Sequence, residues 1–350
     1  MSNGELRQIN LALQGGGSHG AFTWGVLDRL LEDGRVGFDG ISATSAGAMN
    51  AAVYAYGNMR GGADGARAAL HDFWRRVSAS AALYSPLKLT PLEQWCGSLP
   101  EQSWSFAAFE SLTRALSPYQ LNPLNLNPLR DVLAACVDFD ELKRCKSSRL
   151  FLSATNIRSG NVRVFRNEEI SLNAVLASAC LPFLFQAIEI EGSFYWDGGY
   201  MGNPSLYPLF YFTNSRDIVV VHINPIFCED IPRSAMEITD RVNEITFNSA
   251  LLKEFRAIAF VNKLLEEGWI KDEFRAQLRH MLMHSIRADD ALNTLGAASK
   301  FNCDWNFLTD LRDRGRATAE QWLAENYIHL GKRASVDLRG EYLDPDGAQA

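Results

Sequence analysis

The hydrophobic and polar positions of this chain predict strands and helices that alternate. The apolar stretch Ile9–Leu13 is typical of a short buried strand. Apolar residues then recur at helical spacing over Ala21–Asp33, where Gly34 supplies a stop. A second strand that ends near Ala43 and a helix over Gly47–Tyr56 repeat this order. The alternation indicates a parallel sheet with helices on its faces.

The same pattern continues through the middle of the chain. Further helices are predicted over Ala68–Val77 and Leu172–Cys180, and further strands over Leu150–Ala154, Val162–Phe165 and Ile218–Ile223. The last strand lies in the run DIVVVHI, which is apolar enough to be covered on both faces. We therefore expect an α/β fold with a central, mostly parallel sheet flanked by helices.

Two stretches depart from this alternation. Residues 84–129 hold six of the twelve prolines, which predicts an irregular insertion that acts as a lid, an acyl-binding region or a cover for the sheet. Residues 226–350 are mainly helical in pattern, and Ser234-x-x-Glu237 and Thr318-x-x-Gln321 have the form of capping boxes that start helices. We divide the chain into a catalytic domain, residues 8–225, and a helical C-terminal extension.

Composition and charge narrow the classes of function. The 350 residues are 47% hydrophobic and carry a net charge of −7 with no basic run, which argues against a nucleic-acid partner. The six cysteines form no C-x-x-C pair and the N-terminus lacks a signal-peptide core, so a reduced, cytoplasmic location is expected. The most apolar stretch, Ala174–Ile188, has 15 residues, too few to span a bilayer. Contact with the inner face of a membrane would then be peripheral and apolar.

The stretch LALQGGGSHG joins the first strand to the first helix. Backbone N–H groups are free at a helix N-terminus and the helix dipole favours negative charge there, so the glycines predict an anion-binding loop. Gly15, Gly17 and Gly20 also fit the dinucleotide pattern G-x-G-x-x-G, with Asp39 lying 19 residues after the last glycine. The next strand, Val36–Phe38, is short for that fold. A nucleotide phosphate, a reaction oxyanion and a tight turn without a ligand stay open at this point.

A lone serine lies between a predicted strand and a buried helix. In the stretch ATSAGA, Ser45 is surrounded by small residues, and the helix after it is apolar nearly all round. This arrangement is typical of a nucleophile elbow, whose sharp turn lifts the hydroxyl to the helix N-terminus. The usual pattern is G-x-S-x-G, in which Ala43 here replaces the first glycine and Gly47 keeps the second. The alternative is a packing turn made of small residues.

An acidic residue lies in a third glycine-containing stretch, YWDGG. Asp197 lies between an aromatic pair and the glycines Gly198 and Gly199, which predicts a constrained carboxylate on a tight turn. The alternative is an ordinary Asp-Gly hairpin turn.

Together these three stretches resemble the patatin-like phospholipase family, which has a glycine-rich loop, a serine elbow and a D-G-[GA] motif in this chain order. The resemblance covers about residues 8–225 and extends to ASACLPFLFQAI before the DGG and to the DIVVVHINP strand. It implies a three-layer patatin-like fold and a lipid acyl hydrolase of the phospholipase A or lysophospholipase type. It implies no cofactor and no metal, and its partner is a lipid or acyl-ester substrate.

Carried over by position, the resemblance makes Ser45 the nucleophile and Asp197 its partner in a catalytic dyad. The N–H groups of Gly15, Gly16 and Gly17 would form the oxyanion hole while Ser45 attacks an ester carbonyl. Asp197 would then activate the water that releases the fatty acid.

Two histidines bear on this mechanism. His19 stands where relatives typically carry Arg or Lys, a basic residue that helps to hold the loop or a lipid phosphate. His222 would complete the α/β-hydrolase order Ser, acid, His. We expect the dyad, because His222 lies in an apolar run. A carboxylate base of ordinary pKa would also keep the enzyme active well below pH 6.

Other hypotheses lead to different predictions. His280 and His284 would lie one helical turn apart, but without H-E-x-x-H or a third ligand they predict no metal site. A hydrolase of a storage polyester or a short-chain ester, and a catalytically weak scaffold that binds lipid, are the alternatives to a lipid hydrolase. Residues 234–267 could pack on the domain, pair with another subunit in a homo-oligomer, or lie on a membrane.

Overall fold

The fold is built on a central sheet. The structure is a computed structural model that describes residues 6–84, 104–228, 231–271, 273, 278–292 and 295–344. Its strands are β1 (Arg7–Leu13), β2 (Val36–Ala43), β3 (Arg149–Asn156), β4 (Val162–Arg166), β5 (Ile188–Ile190), β6 (Ser193–Asp197), β7 (Asp217–His222) and β8 (Leu282–Arg287).

Helices cover both faces of this sheet. They are α1 (Gly20–Asp33), α2 (Ala46–Tyr84), α3 (Trp104–Ala115), α4 (Pro118–Leu121), α5 (Pro128–Cys136), α6 (Phe139–Leu142), α7 (Leu172–Ser178), α8 (Tyr207–Phe212), α9 (Ala235–Glu266), α10 (Asp289–Leu292) and α11 (Trp305–Asn326). Helix α2 is interrupted by non-helical backbone at Gly61 and Gly62. Across the described ranges, no helix has the length and apolar character needed to cross a membrane.

The order of the strands places the ends of β1 and β2 next to each other. The order is β5-β6-β3-β2-β1-β7-β8, with β4 also paired to β3, and the pairs from β3 through β2, β1 and β7 to β8 are parallel. Leu13 at the end of β1 is in register with Ala43 at the end of β2 and with Val221 of β7. The connections that follow these strands therefore leave the sheet side by side at its carboxyl edge, where open α/β sheets bind ligands.

Two hydrophobic cores lie on opposite faces of the sheet. Leu11 and Leu13 of β1 and Val219 of β7 belong to the core that also holds α1, α2 and α11. Ala12 of β1 and Ile218 of β7 belong to the second core, with residues of α8 and α9. This alternation is the period of a strand, and it confirms the three-layer α/β arrangement predicted from the sequence.

Residues after 225 are part of the same cores. Strand β8 extends the sheet beside β7, and α11 packs along α1. A Cβ atom on Gly25 would lie 1.9 Å from the Arg312 oxygen, and one on Gly315 would lie 2.1 Å from the Phe22 oxygen. The two glycines thus allow the helix backbones to approach closely. The predicted boundary at residue 225 marks a change in the sequence pattern. It lies between β7 and β8, which are neighbouring strands of one sheet.

Two local predictions are wrong. Thr318 does not start a helix, because it lies within α11, whose N-cap is Asp304. His284 does not lie on a helix with His280, because it belongs to β8, where its Nε2 pairs with Asp217 Oδ1 at 3.0 Å. A short apolar run such as that of β8 cannot be distinguished from a buried helix by its period alone.

The predicted insertion over residues 84–129 lies partly outside the described residues, which omit 85–103. The described remainder contains α3, α4 and the start of α5, with exposed side chains such as Leu124 and Leu126. Its role as a lid or as a cover stays a prediction.

Candidate active site

Ser45 lies on a sharp turn between β2 and α2. Its φ of 54° places it in the left-handed region, which costs a non-glycine residue about 1–2 kcal/mol. Its N–H donates to Ser178 Oγ at 2.9 Å. A Cβ atom at Gly47 would lie 2.5 Å from the Leu13 oxygen, so this position of the turn must be glycine, whereas Ala43 fits within the core. Such a strained, supported turn has the geometry of a nucleophile elbow.

Asp197 lies at the end of β6, in register with Ala154 of β3. The residue is fully buried. Its N–H donates to the Cys180 oxygen at 2.8 Å, and its own carbonyl oxygen accepts from Thr155 Oγ1 at 2.8 Å. Oδ1 accepts from the Gly199 N–H at 2.7 Å. The carboxyl group is therefore fixed by hydrogen bonds on its backbone and on one of its two oxygens.

The two glycines after Asp197 are required by close packing. A Cβ atom on Gly198 would lie 2.1 Å from the Ser153 oxygen, and one on Gly199 would lie 2.3 Å from Phe247 Cε1. Neither glycine has a positive φ. Glycine is therefore needed at both positions for close packing and not for a left-handed backbone angle.

Burial changes the acid–base chemistry of Asp197. It raises the pKa of the carboxyl from 3.8 to about 7, an effect that hydrogen bonding from Gly199 and Ser45 partly opposes. Oδ2 completes no hydrogen bond of standard geometry within the described residues. The Ser45 hydroxyl is nevertheless near enough to lower this pKa, and catalytic hydrogen bonds are often long before substrate binds. The expectation of an ordinary carboxylate pKa is thus wrong, because it took no account of burial.

The glycine loop lies against the serine elbow. A Cβ atom on Gly15 would lie 2.5 Å from Ser45 Cβ. The Gly15 N–H, one of the three predicted oxyanion donors, donates to Asn203 Oδ1 at 2.7 Å. The N–H groups of Gly16 and Gly17 make no hydrogen bond to the described parts of the chain. In this conformation, two amides and not three are available to an oxyanion.

His19 is neutral in the folded protein. Burial and the nearby Lys300 lower the pKa of the imidazole to about 3. Its Nε2 lies 2.7 Å from Ser299 Oγ. The side chain thus holds a neighbouring segment and supplies no positive charge to the loop.

His222 is not part of the site. It is buried, and neither ring nitrogen has a hydrogen-bond partner among the residues described. Its ring stacks on Tyr342 with the centroids 5.4 Å apart. Burial and Arg287 lower the pKa of His222 to about 3. The structure therefore brings Ser45 and Asp197 together without this histidine.

The amide side chains that hold the glycine loop were not predicted from the sequence. Gln14 Oε1 accepts from the N–H groups of Ile223 and Asn224 at 2.9 Å and 3.1 Å. Asn224 Nδ2 donates to the Gly15 oxygen at 2.7 Å. The signal was visible in part, because Gln14 directly precedes the glycines, while Asn203 and Asn224 are polar residues followed by proline.

The site can support nucleophilic attack on a carbonyl. It combines a serine hydroxyl on a strained turn, a buried carboxyl whose pKa is near neutral, and two backbone N–H groups that have no partner among the residues described. Within the described ranges, no group of three or more His, Cys, Asp or Glu side chains is placed to hold a metal ion.

Two solved structures align with this chain at low sequence identity. VipD from Legionella pneumophila is 14% identical with a TM-score of 0.40, and the alignment covers 90% of this chain and 66% of that chain. The ExoU–SpcU complex from the type III secretion system of Pseudomonas aeruginosa is 14% identical with a TM-score of 0.34, covering 92% and 78%. This chain thus spans about two thirds of the length of VipD. No curated protein sequence matches it.

A sequence profile identifies the family. The profile of the patatin-like phospholipases matches residues 11–210, which is more than half of the 350 residues. The matched range contains the glycine loop, the serine elbow and the DGG turn, so the resemblance predicted from these motifs is confirmed. The chain belongs to the patatin-like phospholipase family.

Proposed function

We propose that this protein is a serine acyl hydrolase that cleaves lipid esters, of the phospholipase A or lysophospholipase type. Membership of the family supports lipid hydrolysis in general. The observation that carries the finer proposal is the pairing of Ser45, on its strained elbow, with the buried Asp197, whose pKa is about 7. A base works best when its pKa is near the operating pH.

The acylation step follows from this pairing. Ionised Asp197 takes the proton of Ser45 as Oγ bonds to the ester carbonyl carbon. The resulting oxyanion accepts hydrogen bonds from the N–H groups of Gly16 and Gly17. When the tetrahedral intermediate collapses, the C–O bond to the alcohol breaks, and the alcohol leaves with the proton from Asp197. The product is an acyl group on Ser45.

Deacylation reverses these roles with water. Asp197 accepts a proton from water as the water oxygen attacks the acyl carbon. Collapse of the second intermediate breaks the bond to Ser45 Oγ, which recovers its proton from Asp197, and the fatty acid leaves. Because Asp197 both accepts and donates a proton in each half, a pKa near 7 suits it to the task.

An exposed apolar face supports a lipid surface as the place where substrate is met. Ile238, Val242 and Ile245 on α9 are 48%, 55% and 54% exposed, and their spacing places them on one side of the helix. On the same helix, Phe247 packs against Tyr200 of the DGG turn, with the ring centroids 5.2 Å apart. Substrate could then enter from a membrane surface through apolar contact.

Labelling by a fluorophosphonate probe tests the proposal. We expect the folded wild-type protein to be labelled and Ser45→Ala to be unlabelled. Phosphatidylcholine vesicles should lose fatty acid with the untreated wild type, but with neither the probe-treated protein nor Ser45→Ala. A folded protein that is not labelled and releases no acyl group would favour the lipid-binding scaffold. Release from short-chain esters but from no lipid would favour the esterase alternative.

A further inference from the structure

A polar chain links a residue near the C-terminus to the glycine loop. Lys300 Nζ donates to Asn224 Oδ1 at 2.9 Å, and Asn224 Nδ2 donates to the Gly15 oxygen at 2.7 Å. Lys300 lies in the 3-10 turn Ala297–Phe301, and Asn224 lies two residues after His222, the last residue of β7. Both residues lie outside the range matched by the family profile.

Lys300 fixes which way the Asn224 amide points. An amide side chain has one accepting end and one donating end, whereas an ammonium group can only donate. Because Lys300 donates to Oδ1, the NH₂ end faces the other way, where it donates to the Gly15 oxygen at 2.7 Å and to Gln14 Oε1 at 3.3 Å. Asn224 is 2% exposed, so water competes little for the hydrogen bonds of its amide.

The orientation of Asn224 in turn fixes an oxyanion donor. The carbonyl of Gly15 and the N–H of Gly16 belong to one planar, trans peptide and point in opposite directions. A hydrogen bond that holds the Gly15 oxygen on Asn224 therefore directs the Gly16 N–H to the other side, where it has no partner among the described residues. On the preceding peptide, Asn203 holds the Gly15 N–H. The N–H group and the carbonyl oxygen of Gly15 are thus both held by hydrogen bonds.

The segment that carries Lys300 is itself seated on the loop. A Cβ atom on Gly17, whose φ is +58°, would lie 2.4 Å from the Lys300 oxygen. Ser299 contacts His19 at 2.7 Å, and Cys303 contacts Ser18 at 3.1 Å. These contacts hold the backbone around Lys300 in place, so its side chain reaches Asn224 from a fixed base.

We propose that Asn224 and Lys300 are positioning residues for the oxyanion hole, and that residues after 225 therefore complete the active site. The inference rests on the proposed function of Gly16 as an oxyanion donor. An amide that is aimed at the oxyanion stabilises the transition state more than the bound substrate. Loss of its orientation should therefore lower kcat and leave KM nearly unchanged.

Two variants break the chain at different links. Asn224→Asp keeps the shape and the acceptor for Lys300 but has no N–H for the Gly15 oxygen or for Gln14 Oε1. Lys300→Met keeps the length of the side chain but has no donor for Asn224. Lys253→Met, at an exposed position on α9, is the matched control. Thermal melting shows which variants fold.

The measurement is steady-state hydrolysis of a neutral p-nitrophenyl acyl ester and of anionic phosphatidylglycerol. We expect each variant to lose about tenfold to a hundredfold in kcat on both substrates, with KM within about twofold. We expect the kcat of the double variant to be little lower than that of the more impaired single variant, because both substitutions act through the peptide between Gly15 and Gly16. Either folded single variant is enough to decide if the other fails to fold.

Three results would overturn the inference. The first is an unchanged kcat in a folded single variant. The second is a rise in KM confined to phosphatidylglycerol in Lys300→Met, which would make Lys300 a substrate contact. The third is a double variant whose losses multiply. These three results count against the inference when the wild-type protein hydrolyses the substrates and a fluorophosphonate labels Ser45. If neither hydrolysis nor labelling is observed, the proposed function fails instead.

Discussion

Replacing Asp197 by asparagine is expected to stabilise the protein while it removes activity. Asparagine has nearly the same shape, and its Oδ1 can still accept the hydrogen bond that the Gly199 N–H donates at 2.7 Å. Its Nδ2 takes the place of Oδ2, which completes no hydrogen bond in the described part of the chain. The new donor can face the Ser45 oxygen. The variant therefore removes a buried charge at little cost in packing.

The size of the effect follows from the pKa of Asp197, which burial raises from 3.8 to about 7. Between these pH values the folded protein holds a proton that the unfolded chain has released, so its free energy of unfolding falls as pH rises. Each pKa unit corresponds to about 1.4 kcal/mol, so ionisation of the buried Asp197 lowers the free energy of unfolding by about 4 kcal/mol above about pH 7. Asparagine does not titrate. Its stabilising effect should therefore be small near about pH 4, grow up to about pH 7 and then level off.

Urea denaturation of both proteins at a series of pH values from 4 to about 8.5 measures this difference. Glu189→Gln, at an exposed position on β5, is the control for loss of one carboxylate at the surface. If the two stability–pH curves run parallel, or if Asp197→Asn is the less stable protein at pH 8, the burial argument for Asp197 is refuted. Turnover of the variant, measured in parallel, should be lost at every pH.

Further predictions concern the reaction itself. Below about pH 7, kcat/KM on a neutral ester should fall about tenfold per pH unit as Asp197, whose pKa is about 7, is protonated, and a flat profile down to pH 5 would exclude it as the base. His222→Leu should fold and keep most of its turnover, because the ring nitrogens of His222 have no partners among the described residues; loss of turnover in the folded variant would favour the triad. Gly16→Ala should lower kcat about tenfold to a hundredfold, because its Cβ would lie 2.9 Å from Ile223 Cδ1 and displace the loop. Adding Ile223→Val, which removes the Cδ1 atom, should restore part of the lost kcat. Hydrolysis of neutral micelles should vary little with salt concentration, and a steep fall at high salt would contradict substrate entry through apolar contact.

Local patterns predicted the elements that carry the candidate site. The strand β1, the helix α1 and the strand β2 each have a clear period, and Gly34 ends α1 in the left-handed conformation that its sequence position suggested. Ser45 and Asp197 were found because their neighbours must be small. For Ser45 this requirement comes from the sharp turn, and for Asp197 it comes from the backbone of β3 and the ring of Phe247.

The properties that depend on distant parts of the chain were not predictable in this way. The pKa of Asp197 is set by its complete burial, which its own motif does not encode. The hydrogen bond of the Gly15 N–H requires Asn203, 188 positions away. Strand β8 is a short run whose partner β7 is separated from it by the whole of α9. In each case the deciding contact is made only when the chain has folded.

The neutral histidine at position 19 and the lysine at position 300 are best understood together. The family resemblance predicts Arg or Lys at the first of these positions, where it would help to hold the loop or a lipid phosphate. In the fold, the Lys300 ammonium is near enough to lower the pKa of the buried His19. A second cation at position 19 would be buried beside the first, next to the neutral hydroxyl of Ser299. The amine near the glycine loop is thus supplied from the C-terminal region, where burial lowers the pKa of Lys300 and the carboxylates of Glu244 and Asp240 partly oppose that shift.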